Sequence, residues 1–127
     1  MALTLEEAGL KFLQMRDLKG RFDGGAWNLD VDPWMGKKHK LMVHIAQLIT
    51  KSPITEPELE SLLGSPDYRL KSGDYFSKLF KTLPDNHRYK EGECSLWVYK
   101  WRGDHDVLFF VSQSGSILKT AWWHAGE

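Results

Sequence analysis

Two histidines and two aspartates near the C-terminal end of the chain are the residues best suited to acid–base chemistry. Asp104, His105 and Asp106 are consecutive in "WRGDHDVLFF", and His124 follows two tryptophans in "KTAWWHAGE". A carboxylate that orients an imidazole can make it a general base near neutral pH. Since neighbouring residues of a strand point to opposite faces, we expect His105 and Asp106 not to face each other. A pairing with His124 or Asp104 is sterically easier, although polar contacts within a hairpin explain these residues without catalysis.

Other reactive residue types form no recognised pattern. Asp30, Asp32, His39 and His44 are possible metal ligands, but their spacing matches no zinc or calcium site, so we predict no metal. The single cysteine, Cys94, excludes an intramolecular disulfide and is typical of a small buried hydrophobic residue. There is no phosphate-binding glycine loop and no nucleophile elbow. The sequence therefore predicts no cofactor and favours a protein that is not an enzyme.

The composition indicates one ordinary globular domain. The chain has 127 residues, of which 42% are hydrophobic and 27% charged, and its formal net charge is zero. A neutral chain has no overall field to attract nucleic acid or an anionic membrane. The N-terminus has no signal-peptide pattern, and no segment approaches the roughly 20 apolar residues of a membrane span. We therefore expect a single domain over residues 1–127 in the cytoplasm, with neither nucleic acid nor a membrane as partner.

Two helix starts carry a capping box, in which a threonine and a glutamate three residues later satisfy each other's backbone amides. Thr4 with Glu7 predicts a helix that begins near residue 5, and Thr55 with Glu58 predicts another that begins just after the threonine. Gly64 then follows two leucines and is a suitable helix end. These signals predict a first helix towards residue 20 and a short third helix.

Two further helices are predicted from proline placement and apolar spacing. Asp32 followed by Pro33 resembles an N-cap with proline at the first helical position, which predicts a second helix from there to about Lys51. The apolar residues from Phe76 to Leu83 recur at i, i+3, i+4 and i+7, which predicts a fourth helix. The stretch "RFDGGAWNLDVDPW", residues 21–34, has paired glycines and no sustained period, so it is predicted to be a loop.

The last third of the chain changes to a period of two. The segments "CSLWVYKWR", "DVLFFVS" and "SILKTAWWH" are rich in aromatic and β-branched residues and are separated by turn signals. They predict three antiparallel strands in a meander. Helices that precede strands indicate an α+β fold. We therefore predict about four N-terminal helices packed on a three-stranded antiparallel β-meander.

The first two strands can be placed in register. A two-residue loop between them pairs Val98 with Phe109 and Tyr99 with Leu108. One face of the sheet then carries Leu96, Val98, Lys100, Val107, Phe109 and Val111, and the other carries Trp97, Tyr99, Trp101, Leu108 and Phe110. Both faces are apolar, so a second layer must cover the face that the helices leave open. The candidates are the N-terminal segment, a second subunit or a ligand in an aromatic trough.

The register of the last strand stays open. The turn around Gly115 can hold two or three residues, and each choice sends Trp122 and Trp123 to opposite faces. One of these tryptophans therefore belongs to the helix-covered core, and the other reports what covers the far face.

Aromatic residues are the predicted binding residues. They are Trp97, Tyr99 and Trp101 on one sheet face, Trp122 and Trp123 on the last strand, and Trp27 and Trp34 on the loop. We predict a binding module that uses the aromatic sheet face for a protein partner or for a second copy of itself as a homodimer. The alternative is a pocket between the sheet and loop 21–36 for a small apolar or aromatic ligand. There His105, His124 and Asp104 or Asp106 would act as acid and base in a small-molecule binder or cofactor-independent enzyme.

Two resemblances are carried by short motifs. "TEPELESLLGSPD", residues 55–67, with "DVLFFVSQSGSI" resembles the SmpA/OmlA (BamE-like) and β-lactamase-inhibitor-like modules over about the second half of the chain. This resemblance implies helices on a small antiparallel sheet and binding of proteins, although the lipoprotein signal and cysteine of the bacterial members are missing here. Separately, "WRGDHDVLFFV" and "WWHAGE" are similar to small uncharacterised fungal proteins, a likeness that implies no particular activity. The matching residues are Trp101, Arg102, Gly103, His105, Asp106, Trp122, Trp123 and Glu127.

Overall fold

A computed structural model describes residues 3–90 and 92–125 and has an α+β fold. Its helices are α1 (Leu5–Met15), α2 (Lys37–Lys51), α3 (Glu56–Leu63) and α4 (Asp74–Phe80). Its strands are β1 (Tyr68–Leu70), β2 (Cys94–Trp101), β3 (Gly103–Gln113) and β4 (Ser116–His124), which form one antiparallel sheet in the order β1-β2-β3-β4. The α+β class is therefore confirmed, whereas the sheet in the described residues has four strands rather than three.

The additional strand, β1, lies between α3 and α4 in the chain. Its three residues pair with β2, so that Tyr68 lies opposite Val98 and Leu70 opposite Leu96. Three residues are too few to show a period of two, which is why the sequence did not predict this strand. Its position has a clear physical reason, because it covers backbone groups that would otherwise be unpaired at the edge of β2.

Local signals placed the starts of α1 and α3 correctly, whereas the predicted end of the first helix is wrong, because α1 ends at Met15 rather than near residue 20. In α1, the Thr4 hydroxyl accepts a hydrogen bond from the Glu7 amide at 3.2 Å, and the Glu7 carboxylate accepts one from the Thr4 amide at 2.9 Å. Thr55 and Glu58 make the same reciprocal pair at the start of α3, which ends at Gly64. Each box satisfies amides that the first turn of a helix leaves without a partner.

The predicted start of α2 is wrong. The helix begins at Lys37 with Gly36 as its N-cap, four residues beyond Pro33. Asp32 is fully buried, and its carboxylate accepts hydrogen bonds from the backbone amides of Arg21 at 3.0 Å and Asn28 at 2.7 Å. Since α2 starts only at Lys37, the Asp32 carboxylate does not cap this helix and instead holds backbone amides of loop 21–36.

The chain itself covers both faces of the sheet. The predicted pairing of Val98 with Phe109 and of Tyr99 with Leu108 is confirmed. Helices α1, α2 and α3 pack on the face of Tyr99, and α4 packs on the face of Val98. Trp97, Tyr99 and Trp101 are at most 2% exposed. The expectation that these three residues form an open binding face is therefore wrong, because the N-terminal helices bury them.

The register of β4 separates the two neighbouring tryptophans. Trp122 lies opposite Leu108 and packs on the α1–α3 side of the sheet, whereas Trp123 lies opposite Val107 and packs on the α4 side. Both side chains are partly exposed. On the α4 side, the Lys78 ammonium lies 4.3 Å from the centre of the Trp123 ring. Each tryptophan therefore marks the rim of a different part of the core.

Replacing Thr55 by alanine tests the cap of α3. The change removes the hydroxyl that accepts from the Glu58 amide, so we expect a loss of about 1 kcal/mol in the free energy of unfolding. Urea unfolding followed by circular dichroism measures it. Ser61→Ala, an exposed substitution in the same helix, is the matched control. Equal losses in the two variants would show that the box does not stabilise the helix.

Candidate functional site

A buried carboxylate, Asp106, lies at the centre of the candidate site. It is 1% exposed and accepts hydrogen bonds from three side chains: Arg102 Nε at 2.7 Å, His105 Nδ1 at 2.9 Å and His124 Nδ1 at 2.6 Å. Burial raises the pKa of Asp106, but these hydrogen bonds and the Arg102 charge outweigh burial, and the pKa is lowered from its usual value. Since an ionised carboxylate only accepts, both imidazoles carry a proton on Nδ1 toward Asp106.

A bulge at the β2–β3 turn brings His105 and Asp106 together, contrary to the expectation from strand alternation. The pairing of β2 with β3 shifts between Lys100 and Trp101. Arg102 then bonds through its amide to the Asp106 carbonyl at 3.3 Å, while the His105 amide bonds to the Arg102 carbonyl at 3.0 Å. An irregular residue of this kind interrupts the alternation of side chains, so neighbours can point the same way.

Asp104, unlike Asp106, makes its contacts away from Arg102, His105 and His124. Its carboxylate accepts a hydrogen bond from the Tyr68 hydroxyl at 2.8 Å and lies 3.6 Å from the Lys100 ammonium. The preceding Gly103 has a φ of +53°, and a Cβ atom there would lie 2.5 Å from the carbonyl oxygen of Phe22. The turn therefore needs glycine both for its backbone angle and because loop 21–36 packs directly against it.

Arg102 connects this turn to the loop. The guanidinium is buried, and its Nη1 donates to the carbonyl oxygen of Asp32 at 2.9 Å. It also lies over three aromatic rings, 4.2 Å from Trp101, 4.7 Å from Phe22 and 5.3 Å from Trp34. These distances are within the range of cation–π attraction. One side chain thus joins the buried carboxylate, the core and the loop.

A second anchor comes from the core tryptophan of β2. The indole nitrogen of Trp101 donates to the carbonyl oxygen of Val31 at 2.7 Å. The carbonyls of Val31 and Asp32 are therefore both held by side chains from the sheet. Together with the Asp32 carboxylate, these bonds fix the conformation of a segment that is largely without helix or strand.

Rings from four parts of the chain meet above Asp106 and form what we call the aromatic–imidazole cluster. His39 of α2 stacks on Trp101 with centroids 3.9 Å apart and planes within 6°. The Trp34 ring lies 5.0 Å from both His39 and His124. Trp122 stacks on His124 at 5.8 Å with planes 9° apart. The cluster therefore consists of Trp34, His39, Trp101, Trp122 and His124.

His39 is buried in this cluster as a neutral imidazole. Its Nδ1 accepts a hydrogen bond from the Met35 amide at 2.9 Å, so the ring proton is on Nε2. The pKa of His39 is lowered to about 4, chiefly by burial and also by the nearby charges of His124 and Arg102, although the Asp106 charge raises it. From the sequence, His39 is a candidate only for a metal ligand. Its spacing of three residues from Met42, on the buried face of α2, is the signal that places it in the core.

The structure gathers some of the predicted site residues and separates others. His105, Asp106, His124, Trp34, Trp101 and Trp122 lie together. Trp27 stays half-exposed on the loop, and Trp97, Tyr99 and Trp123 make other contacts, including the Tyr99 hydroxyl to the Gly64 carbonyl at 2.8 Å. Across residues 3–90 and 92–125, no group of three or more histidine, cysteine, aspartate or glutamate residues is arranged to hold a metal ion.

The group of Asp106, His105 and His124 is suited to acid–base chemistry. Asp106 orients His105 and His124 as a carboxylate does in catalytic dyads, leaving the Nε2 atom of each ring for another partner. Across residues 3–90 and 92–125, no serine, threonine or tyrosine hydroxyl is hydrogen-bonded to either imidazole. The arrangement therefore contains oriented imidazoles, and catalysis stays a prediction.

The exposed side of the site is apolar. Among the described residues, nine large hydrophobic side chains are exposed, and five of them belong to loop 21–36. We call these five the loop surface: Phe22, Trp27, Leu29, Trp34 and Met35. Leu29 is the most exposed at 78%, and Trp27, Trp34 and Met35 are each 52% exposed. Apolar exposure is therefore concentrated on the segment that Arg102 and Trp101 hold in place.

Comparison of the chain with protein-family models, with curated proteins and with solved structures finds no match. The resemblances to SmpA/OmlA modules and to fungal proteins thus stay predictions, and Glu127 of the second motif lies outside the described residues.

Within the described ranges, none of the helices has both the length and the apolar character needed to cross a membrane.

The buried pair of Arg102 and Asp106 can be tested by a double-mutant cycle. Removing either partner leaves the other charge buried, so we expect Arg102→Met and Asp106→Leu each to lower the free energy of unfolding by about 3–5 kcal/mol. The double variant should lose less than the sum of the two single changes. The exposed pair Lys100 and Asp104, treated in the same way, should lose less than about 1 kcal/mol. Additive losses at the buried pair would contradict this assignment.

His39 should make the stability of the protein pH-dependent. Its pKa is about 4 when folded and about 6.5 when unfolded, so the unfolded state binds the proton more readily. The contribution of His39 to the free energy of unfolding is therefore fully present above pH ~6.5. It is lost as the pH drops toward 4, and the loss is about 2–3 kcal/mol at pH ~4.5. Urea unfolding at pH ~7 and ~4.5 measures the difference. His39→Gln should reduce it by this amount, whereas the exposed control His87→Gln should not. Equal pH dependence in both variants would refute the assignment.

Proposed function

We propose that the protein is a non-catalytic interaction module that binds a second copy of itself through the loop surface. The observation that carries this proposal is the concentration of exposed aromatic and aliphatic side chains on one loop whose backbone is held by the core. The proposed binding surface differs from the sheet face that the sequence predicts. The proposed kind of function, binding through exposed aromatic residues, is the same.

The size of the loop surface supports such a contact. The two half-exposed tryptophans, Trp27 and Trp34, leave roughly 250 Å² of ring surface in contact with water. Phe22, Leu29 and Met35 bring the apolar area to roughly 500 Å², close to what one partner contributes to a small specific interface. Tryptophan and methionine are also enriched at the centres of interfaces.

The anchoring of the loop lowers the free-energy cost of association. The Val31 and Asp32 carbonyls already accept hydrogen bonds from Trp101 and Arg102, and the Asp32 carboxylate already holds two loop amides. A loop with a fixed backbone loses little further conformational entropy when a partner binds. The side chains of the loop surface are therefore presented in an ordered arrangement.

The charge of the chain is compatible with a second copy as the partner. Seventeen basic and seventeen acidic residues give a formal net charge of zero, so two copies do not repel each other through an overall field. A symmetric dimer also needs only one patch, because the same surface serves on both subunits. A second copy of this chain is therefore a sufficient partner for the loop surface.

Light scattering and sedimentation equilibrium across the micromolar range test the self-association. We expect a monomer–dimer equilibrium that Trp27→Ser with Leu29→Ser weakens at least about tenfold, because both side chains are exposed and neither belongs to the aromatic–imidazole cluster. The matched control is Leu10→Ser with Leu118→Ser, which removes two exposed leucines elsewhere on the surface. A strict monomer at all concentrations, or equal weakening in both variants, would overturn the proposal.

A further inference from the structure

A groove lies between α1 and α2, on a part of the molecule separate from the loop surface. Its volume is about 540 Å³, which is within the range of small-molecule sites. Apolar side chains of Leu3, Met15 and Leu41 line it. His44 stabilises one wall, because its Nε2 lies 2.7 Å from the Leu3 carbonyl oxygen and donates to it. The groove is thus an apolar concavity built by the packing of two helices.

Three lysines surround this apolar lining. Lys11 comes from α1, and Lys37 and Lys40 come from the first turn of α2. All three are exposed, and no aspartate or glutamate is among the described residues that line the groove. Glu7, one turn before Lys11, is engaged in the α1 capping box. The groove therefore combines an apolar interior with a positive local charge on a chain whose net charge is zero.

We propose that this groove binds an anionic amphiphile as a free molecule. The hydrocarbon chain lies against Leu3, Met15 and Leu41, and the anionic head lies among the lysine ammonium groups. Burial of the chain provides the affinity that depends on apolar area. The lysines provide charge selectivity, since an ammonium group attracts an anion as a compact point charge without requiring a fixed geometry.

Two features favour a free molecule over a membrane surface. The apolar residues line a concavity between helices, whereas a helix that lies on a bilayer presents its apolar face outward. In addition, the neutral chain has no extended positive field that would hold it on an anionic bilayer. The occupant predicted from these features enters the groove rather than anchoring the protein to a surface.

Three amphiphiles, each with a chain of twelve carbons if the carboxyl carbon of dodecanoate is counted, separate the contributions of charge and apolar area. Isothermal titration calorimetry is carried out with dodecanoate, dodecyl maltoside and dodecyltrimethylammonium, each below the concentration at which it forms micelles. We expect dodecanoate to bind at least about tenfold more tightly than the neutral and cationic compounds, and added salt to weaken it. Equal binding of all three, or no binding of dodecanoate, would overturn the proposal.

Two charge-matched variants locate the site. Lys11→Glu with Lys40→Glu reverses the charge around the groove, and Lys81→Glu with Lys90→Glu makes the same change in net charge at exposed positions elsewhere. We expect the first variant to weaken dodecanoate binding at least about tenfold and the second to change it less than about twofold. Lys11→Gln with Lys40→Gln, which removes charge without adding acidic groups, should give an intermediate loss. Equal weakening in both charge-reversed variants would place the binding elsewhere.

Vesicles of anionic and of neutral phospholipid provide the remaining comparison. Co-sedimentation with the anionic vesicles would assign the lysines to a membrane surface and contradict the proposal, whereas a protein that stays in the supernatant with both supports it. None of the three lysines belongs to the loop surface, so a failure of amphiphile binding and a failure of self-association are separate results.

Discussion

The ion pair between Arg102 and Asp106 is the interaction on which the arrangement of the site depends. Both groups are buried, and an unpaired charge at either position would be strongly unfavourable. The pair is satisfied only when His124 of the last strand, His105 of the turn and the Asp32 carbonyl of the loop are all in place. One electrostatic requirement therefore fixes the relative positions of the β2–β3 turn, the end of β4 and loop 21–36.

The burial of both sheet faces explains where apolar surface remains available. Helices α1–α3 cover the face of Tyr99, and α4 covers the face of Val98, so the aromatic residues of the sheet serve as core. The loop cannot join either layer, because the Arg102 turn and the Trp101 indole hold it at the end of the sheet. Its aromatic and aliphatic side chains consequently stay in contact with water.

The loop surface and the α1–α2 groove differ in the kind of partner that each suits. The loop surface consists of large exposed apolar side chains on an anchored backbone, as the proposed self-association requires. The groove is concave and carries local positive charge, which suits a small molecule with an anionic head. The loop surface shares Trp34 with the aromatic–imidazole cluster, whereas the groove lies apart from that cluster.

Sequence rules were sufficient for several features that depend on near neighbours in the chain. The starts of α1 and α3, the apolar spacing of α4, and the register between β2 and β3 follow from capping boxes, helical periodicity and a tight turn. Tertiary structure decided the rest. The Asp32 carboxylate accepts hydrogen bonds from the Arg21 and Asn28 amides of the folded loop. A bulge in the pairing of β2 with β3 lets the side chains of His105 and Asp106 meet. Partners far apart in the chain, such as His39 with Trp101 or Asp106 with His124, are set by packing and burial, which local patterns do not specify.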